Sequence, residues 1–124
     1  MHQAQSLIDT LELGAVAHRV VADLPFGTQK RVELARALAS SPKLLLLDEP
    51  AAGLNHDEIE VLKGQIKRVR DTQHVTVLLV EQNVLKALEI ADRAYVLEQG
   101  RIVSEGLPAD LMAQPHIREA YLGV

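Results

Sequence analysis

The sequence predicts an α/β fold, in which helices cover a sheet of parallel strands. Two short runs, KLLLLD at 43–48 and VTVLLV at 75–80, are apolar at consecutive positions, as expected of strands buried on both faces of such a sheet. Helical patterns surround these runs, and a hairpin pattern follows them. Because a covered parallel pair normally has further strands beside it, we expect the chain to be part of a larger domain.

The first part of the chain contains two helical patterns. Residues 4–13 repeat apolar side chains at helical spacing, and Gly14 follows as a predicted C-cap. A second helix is predicted from Gln29 to about Ser40 and is ended by Pro42. The periodicity of KLLLLD fits a helix as well as a strand, but the run is short and lies between two prolines, which favours the strand.

The remaining elements are predicted from capping, turn and proline signals. Asn55 followed by Glu58 is a capping signal, which begins a long helix that reaches about Asp71. The later predicted elements are a helix from about Val84 to Ala91, a hairpin of AYVLE and RIVSE around Gln99-Gly100, and two short helices that begin at Pro108 and Pro115.

Composition excludes several classes of function. The 124-residue chain is 48% hydrophobic and 24% charged, as in globular proteins, and it has no cysteine for disulfides, thiol catalysis or metal binding. The net charge is -4, Lys and Arg are scattered, and only 2% of residues are aromatic, so we expect no nucleic-acid partner. The longest apolar run is LLLL, which predicts neither a membrane span nor a leader.

Two carboxylates, Asp48 and Glu49, follow the first predicted strand directly. A carboxylate at this end of a parallel strand points into the crevice where α/β sheets bind ligands. Asp48 suits magnesium, usually through water, and Glu49, which faces differently, suits polarisation of a water molecule. An isolated Asp-Glu pair is more often a solvated acidic turn, so the flanking residues have to decide.

Both flanks favour a phosphate site. LPFGTQKR, at residues 24–31, places a glycine-containing turn at the start of a helix, where unpaired backbone N–H groups can hold a phosphate. Glu81 and Gln82 follow the second strand, at the edge of the sheet where Asp48 is expected.

Taken in order, LPFGTQKR, LLLLDEP, AAGLN and LLVEQ resemble the nucleotide-binding subunit of an ABC transporter. The resemblance runs from about Leu24 to the end, and more weakly through the first helix. It implies a partial P-loop NTPase (ABC ATPase) fold of three layers, with parallel strands, part of the helical subdomain and a C-terminal β-hairpin. Residues 1–41 would belong to the helical subdomain with its signature motif, and residues 42–124 would carry the Walker B strand, the D-loop, the switch region and the C-terminal tail.

The resemblance also implies a role for each matching position. The usual signature LSGGQ corresponds to Leu24–Thr28. The residues expected to contact the ATP of a partner subunit, here called the signature turn, are Pro25, Phe26, Gly27, Thr28 and Gln29. Asp48 would aid magnesium through water, Glu49 would be the catalytic base, and Gln82 would occupy the position of the switch histidine. The D-loop residues expected at the partner interface are Ala52, Gly53, Leu54 and Asn55.

Further segments, VEQN, ADRAYVLEQGRIVSEG and AYLG, are similar to the two ATPase subunits of branched-chain amino-acid importers. The likeness implies ATP and Mg as cofactors, and a second ABC ATPase subunit and transmembrane permease subunits as partners. It also implies a peripheral location on the cytoplasmic face of the membrane. DEPAAGLN is similar to one of the two subunits and VEQN to the other.

The sequence departs from the family pattern because it contains no G-x-x-x-x-G-K-[ST], the loop that cradles phosphates. We therefore expect the chain to be the C-terminal half of such a subunit and inactive alone. Two alternatives remain: a non-catalytic interaction or regulatory module that pairs with a complete ABC ATPase, and a fragment of a non-transport ABC-type ATPase. The tail VSEGLPADLMAQPHIREAYLG disfavours the second alternative.

Overall fold

The computed structural model describes residues 2–123, which form two compact units, one reaching to Leu79 and the other beginning at Val80. The α/β class predicted from the sequence is confirmed. The helices and strands are α1 (His2–Thr10), α2 (Phe26–Leu38), β1 (Leu44–Asp48), α3 (His56–Gln73), β2 (Thr76–Val80), α4 (Val84–Ile90), β3 (Ala94–Glu98), β4 (Arg101–Gly106), α5 (Pro108–Ala113) and α6 (Pro115–Ile117). Short 3-10 helices occupy Gly14–Val16 and Val21–Asp23, and a π-helix occupies Arg118–Leu122. Among these residues, no helix is both long enough and apolar enough to cross a membrane.

The first unit is built on β1 and β2, which are hydrogen-bonded neighbours in a parallel sheet. One face of this sheet packs against side chains of α1, α2 and α3, so the three helices and the sheet share one core. The buried members of that core are Leu7, Leu11, Leu13, Leu34, Leu38, Leu45, Val69 and Val75.

The opposite face of the sheet is open. Successive strand residues point to opposite faces, so Leu44 and Leu46 lie away from the buried Leu45, and Leu78 lies away from Val77. Their exposed fractions are 51%, 64% and 55% for Leu44, Leu46 and Leu78, which we call the open sheet face. The sequence predicts strands covered on both faces, whereas the helices of the first unit join the core on only one of them.

Two helix boundaries in the first unit differ from the prediction. Gly14 does not cap α1, which ends at Thr10; the chain then turns so that Leu11 and Leu13 are buried, and Gly14 begins a 3-10 helix. Helix α2 begins at Phe26 and not at Gln29, because Pro25, with φ fixed at -55°, serves as its N-cap.

The capping signal at the start of α3 is confirmed. Asn55 Oδ1 accepts a hydrogen bond from the Glu58 N–H at 2.9 Å, and Glu58 Oε1 accepts one from the Asn55 N–H at 3.2 Å. These reciprocal bonds form a capping box, which fixes the direction in which the helix leaves the loop after β1.

The second unit contains the predicted hairpin. Strands β3 and β4 pair antiparallel, with a register shift between Val96 and Leu97. Gln99 and Gly100 form the turn with φ of 50° and 78°, the positive values that a type I′ hairpin turn requires. Helices α5 and α6 begin at the two prolines as predicted, and the core of this unit consists of Leu88, Val96, Leu111 and Ile117.

Candidate functional site

The acidic end of β1 is accessible. Asp48 is the last residue of the strand, Glu49 follows it, and both side chains are exposed. Glu49 has φ of 47°, a left-handed conformation that a non-glycine residue seldom adopts. The backbone therefore turns sharply at the position expected to activate water.

The chain from Glu49 to Leu54 forms two successive turns. The Ala52 N–H donates to the Glu49 carbonyl at 3.1 Å, and the Leu54 N–H donates to the Ala51 carbonyl at 3.1 Å. Gly53 has φ of 80°, which glycine adopts without strain. These turns lead from the acidic end of β1 into the predicted D-loop, which the capping box at Asn55 joins to α3.

The signature turn forms the N-terminus of α2, a helix of 13 residues. The first N–H groups of a helix have no acceptor within the helix, and Pro25 supplies no side-chain cap, so the N–H groups at the start of α2 point out of the helix end. The Gln29 side chain does not point to a ligand, because its Nε2 donates to the Leu24 carbonyl at 3.0 Å and fixes the turn.

Arg31, one turn further along α2, donates hydrogen bonds to other residues of the chain. Its Nη1 donates to the carbonyls of Leu11 and Glu12 at 3.2 and 3.4 Å, and its Nη2 donates to Thr28 Oγ1 at 3.5 Å. The guanidinium therefore ties α2 to the segment after α1.

The signature turn and the D-loop touch each other. A Cβ atom placed on Gly53 would lie 3.0 Å from Phe26 Cε1, and one placed on Gly27 would overlap the carboxylate of Glu58. Lys30 covers the Phe26 ring, with Nζ 5.2 Å from the ring centroid. The structure thus brings the signature turn to the loop that leaves the acidic end of β1.

Gln82 lies in the second unit, where it is exposed and immediately precedes Asn83, the N-cap of α4. Asn83 Oδ1 accepts a hydrogen bond from the Lys86 N–H at 3.1 Å. The exposed Gln82 side chain therefore lies beside a well-defined helix start.

The carboxylates fit magnesium held through water. Within residues 2–123, no group of three or more His, Asp or Glu side chains could hold a metal ion directly. Magnesium prefers to keep several waters and to share one or two carboxylates with substrate phosphates. A single exposed strand-end carboxylate such as Asp48 is suited to that mode and not to a closed protein cage.

A second polar cluster, in the second unit, has no signal in the sequence. The Tyr121 hydroxyl donates to Glu98 Oε1, and His116 Nε2 lies 3.1 Å from the same oxygen. The hydrogen bond from Tyr121, and then that with His116, lower the pKa of Glu98, while the bond to Glu98 raises the pKa of Tyr121. Tyr121 is 23 residues from Glu98 along the chain, and local sequence patterns do not relate residues that far apart.

The order and geometry of these motifs can be compared with known proteins. The family model described as "ABC transporter" matches residues 1–52. A branched-chain amino acid transport ATP-binding protein of Pseudomonas aeruginosa, BraF, is 37% identical over 123 residues, which are 99% of this chain and 48% of BraF. The chain belongs to the ABC transporter family of ATP-binding proteins.

Two further members of the ABC family agree with this assignment. BraG of Pseudomonas aeruginosa, also a branched-chain amino acid transport ATP-binding protein, is 52% identical over 97 residues, 78% of this chain and 41% of BraG. The ADP conformation of MJ1267, an ATP-binding cassette of an ABC transporter, superposes with a TM-score of 0.84 at 27% identity, covering 99% of this chain and 50% of that one. The chain thus spans about half the length of the ABC proteins it matches.

Proposed function

We propose that the chain supplies the Walker B, D-loop and signature half of an ABC transporter ATPase. The contact between Phe26 in the signature turn and Gly53 in the D-loop carries this proposal. Because two hydrogen-bonded turns join Glu49 to the D-loop, that contact links the acidic end of β1 to the helix start that would receive a phosphate of ATP. The domain assignment made from the sequence, with the signature motif before residue 42 and the Walker B strand after it, is part of the proposal.

The two carboxylates, Asp48 and Glu49, would have different roles in ATP hydrolysis. Asp48 would hold a magnesium-bound water, and Glu49 would accept a hydrogen bond from the attacking water and take up its proton. Magnesium, when bound with ATP, neutralises charge that develops on the phosphate oxygens. Gln82 can donate a hydrogen bond from its amide to a phosphate oxygen, but it cannot carry a proton as a histidine can.

The signature turn and the D-loop would act on a second subunit. Backbone N–H groups at Phe26, Gly27 and Thr28 would contact the ATP held by that subunit, and the exposed Ala52, Gly53 and Asn55 would lie at the shared interface, with Leu54 behind them. In this arrangement ATP is bound between two subunits, so each subunit completes the site of the other.

The transported substrate is proposed from the relatives. BraF and BraG both carry the description of high-affinity branched-chain amino acid transport ATP-binding proteins. We extend that role to the parent system of this chain, which would couple ATP hydrolysis to uptake through transmembrane permease subunits at the cytoplasmic face.

The proposal is tested by replacing the matching part of BraF with this chain and measuring hydrolysis of magnesium-ATP. We expect the chimera to hydrolyse ATP, because the unmatched part of BraF would supply the phosphate cradle and this chain the carboxylates. A folded chimera that binds ATP without hydrolysing it would contradict the proposal and favour the second candidate, a non-catalytic module that pairs with a complete ABC ATPase. The missing G-x-x-x-x-G-K-[ST] is the observation that favours this second candidate.

A further inference from the structure

Glu58, in the first turn of α3, contacts both the end of the D-loop and the signature turn. Its Oε1 accepts the hydrogen bond from the Asn55 N–H at 3.2 Å that completes the capping box. Its Oε2 faces Gly27, because a Cβ atom placed there would overlap this oxygen and lie 3.0 Å from Glu58 Cδ and 3.2 Å from Cγ. The residue is half-buried, so its carboxylate is held between α3 and the start of α2.

The position of this carboxylate brings negative charge to the start of α2. Gly27 is the second residue of that helix, whose N-terminal N–H groups and dipole attract anions. The first turn of α2 contains no acidic residue and has no side-chain cap. Glu58 therefore supplies, from another helix, an anion to the same helix end that the proposed function assigns to a phosphate of ATP.

We propose that Glu58 regulates the signature turn: its carboxylate opposes a phosphate at the start of α2 and has to move aside before the phosphate binds. This inference rests on the proposed function, because it concerns the site that the signature turn would offer to ATP. The carboxylate and the phosphate are both negative, and two like charges at contact distance repel each other. The half-buried position of Glu58 limits the solvent that would screen this repulsion.

Movement of Glu58 would change the D-loop as well. When Glu58 Oε1 leaves the Asn55 N–H, the capping box keeps only the bond from the Glu58 N–H to Asn55 Oδ1, which is 2.9 Å long. A phosphate at the signature turn would thus loosen the end of the D-loop. Because the coupling between two sites is reciprocal, a loosened D-loop would in turn raise the affinity of the signature turn for phosphate.

The test is a titration of the chain with inorganic pyrophosphate at constant ionic strength, followed by NMR through the backbone amide signals of Phe26, Gly27 and Thr28. In Glu58→Gln the side chain keeps an oxygen that can accept from the Asn55 N–H, but it has no charge. We expect pyrophosphate to bind this variant about fivefold more tightly than the unsubstituted chain, because the repulsion is removed.

The amide signal of Asn55 measures the coupling to the D-loop. We expect it to shift in step with that of Gly27 as pyrophosphate binds the unsubstituted chain, because the displaced carboxylate no longer accepts its hydrogen bond. A role of Glu58 in helix stability alone would not link these two signals. This measurement needs no substitution, so it does not depend on how a variant folds.

Asp57→Asn is the matched control. Asp57 also lies in the first turn of α3, but it is exposed, whereas Glu58 is half-buried against Gly27. The substitution removes the same charge, and we expect it to change the dissociation constant for pyrophosphate by less than about twofold. Circular dichroism checks that both variants fold.

Four outcomes would overturn the inference: equal pyrophosphate affinities of Glu58→Gln and the unsubstituted chain, equal effects of Glu58→Gln and Asp57→Asn, an Asn55 signal that does not follow that of Gly27, or no binding to either form at about 50 mM pyrophosphate. The titration needs neither ATP nor a second subunit. An inactive BraF chimera would therefore count against the proposed function and leave the role of Glu58 standing, whereas an active chimera with equal pyrophosphate affinities would overturn only the role of Glu58.

Discussion

Gly53 is the residue through which the D-loop approaches the signature turn. Its φ of 80° lies in the left-handed region, and a Cβ atom at this position would lie 3.0 Å from the Phe26 ring. Both features disfavour any side chain, so glycine is needed here for backbone conformation and for close approach.

We predict that Gly53→Ala lowers the free energy of unfolding by about 1–2 kcal/mol, from backbone strain and from displacement of Phe26. Gly64→Ala is the matched control, because Gly64 lies inside α3 with nothing within 4 Å of a Cβ atom. There alanine should stabilise the helix by about 0.5–1 kcal/mol. Urea unfolding followed by circular dichroism measures both changes, and equal stabilities of the two variants would refute the role of Gly53.

At the scale of elements, the sequence predicts the helix starts and turns that depend on neighbouring residues. The Asn55–Glu58 capping box, the hairpin turn at Gln99-Gly100 and the helix start at Pro108 all follow from neighbouring residues and are confirmed. The start of α2 is placed three residues too late, because the Phe26-Gly27 pair reads as a turn although Pro25 already sets the helix direction.

Contacts between distant elements are not predictable in this way. The approach of Phe26 to Gly53 and the bond from Tyr121 to Glu98 depend on how helices and strands pack, which no local spacing records. The position of the carboxylates at a strand end, the glycine-containing turn at a helix start and the family resemblance together identify Asp48, Glu49 and the signature turn as candidates. Their placement against each other requires the fold.

The hydrogen bonds of Glu98 predict a pH dependence of the second unit. The pKa of Glu98 is lowered below its ordinary 4.5, so its stabilising effect is present above about pH 4.5 and is lost as the pH falls through the lowered pKa. The pKa of Tyr121 is raised above 10.0, so its effect is present below about pH 10 and is lost as the pH rises through the raised pKa.

Tyr121→Phe should therefore lower the thermal midpoint near neutral pH and reduce its decline in alkali. Thermal unfolding is measured between about pH 3 and pH 11, on both sides of the ordinary pKa values of the two groups. Tyr95→Phe is the control, because Tyr95 is the chain's other tyrosine and is not one of the hydrogen-bond partners of Glu98, which are Tyr121 and His116. If both variants follow the same pH profile, the bond from Tyr121 to Glu98 does not stabilise the unit.

At the scale of the whole molecule, the sequence contains the two proposed catalytic carboxylates, Asp48 and Glu49, but no G-x-x-x-x-G-K-[ST] loop, and its net charge is -4. Little in this chain offsets the negative charge of ATP. We predict that calorimetry of the chain alone with magnesium-ATP detects no binding tighter than roughly 100 µM. A clear isotherm at low micromolar concentrations would show that the chain holds phosphates by another route.

The proposed role of Glu49 as the catalytic base is tested by Glu49→Gln in the chimera of this chain with the unmatched part of BraF. Glutamine keeps the size of the side chain but cannot take up a proton from water. We predict that kcat for ATP hydrolysis falls about a hundredfold or more while the dissociation constant for ATP is unchanged. Glu105→Gln, on the exposed hairpin strand β4, is the control and should leave kcat unchanged. A Glu49→Gln chimera that hydrolyses ATP within about twofold of the unsubstituted rate would contradict the assignment of Glu49 as the base.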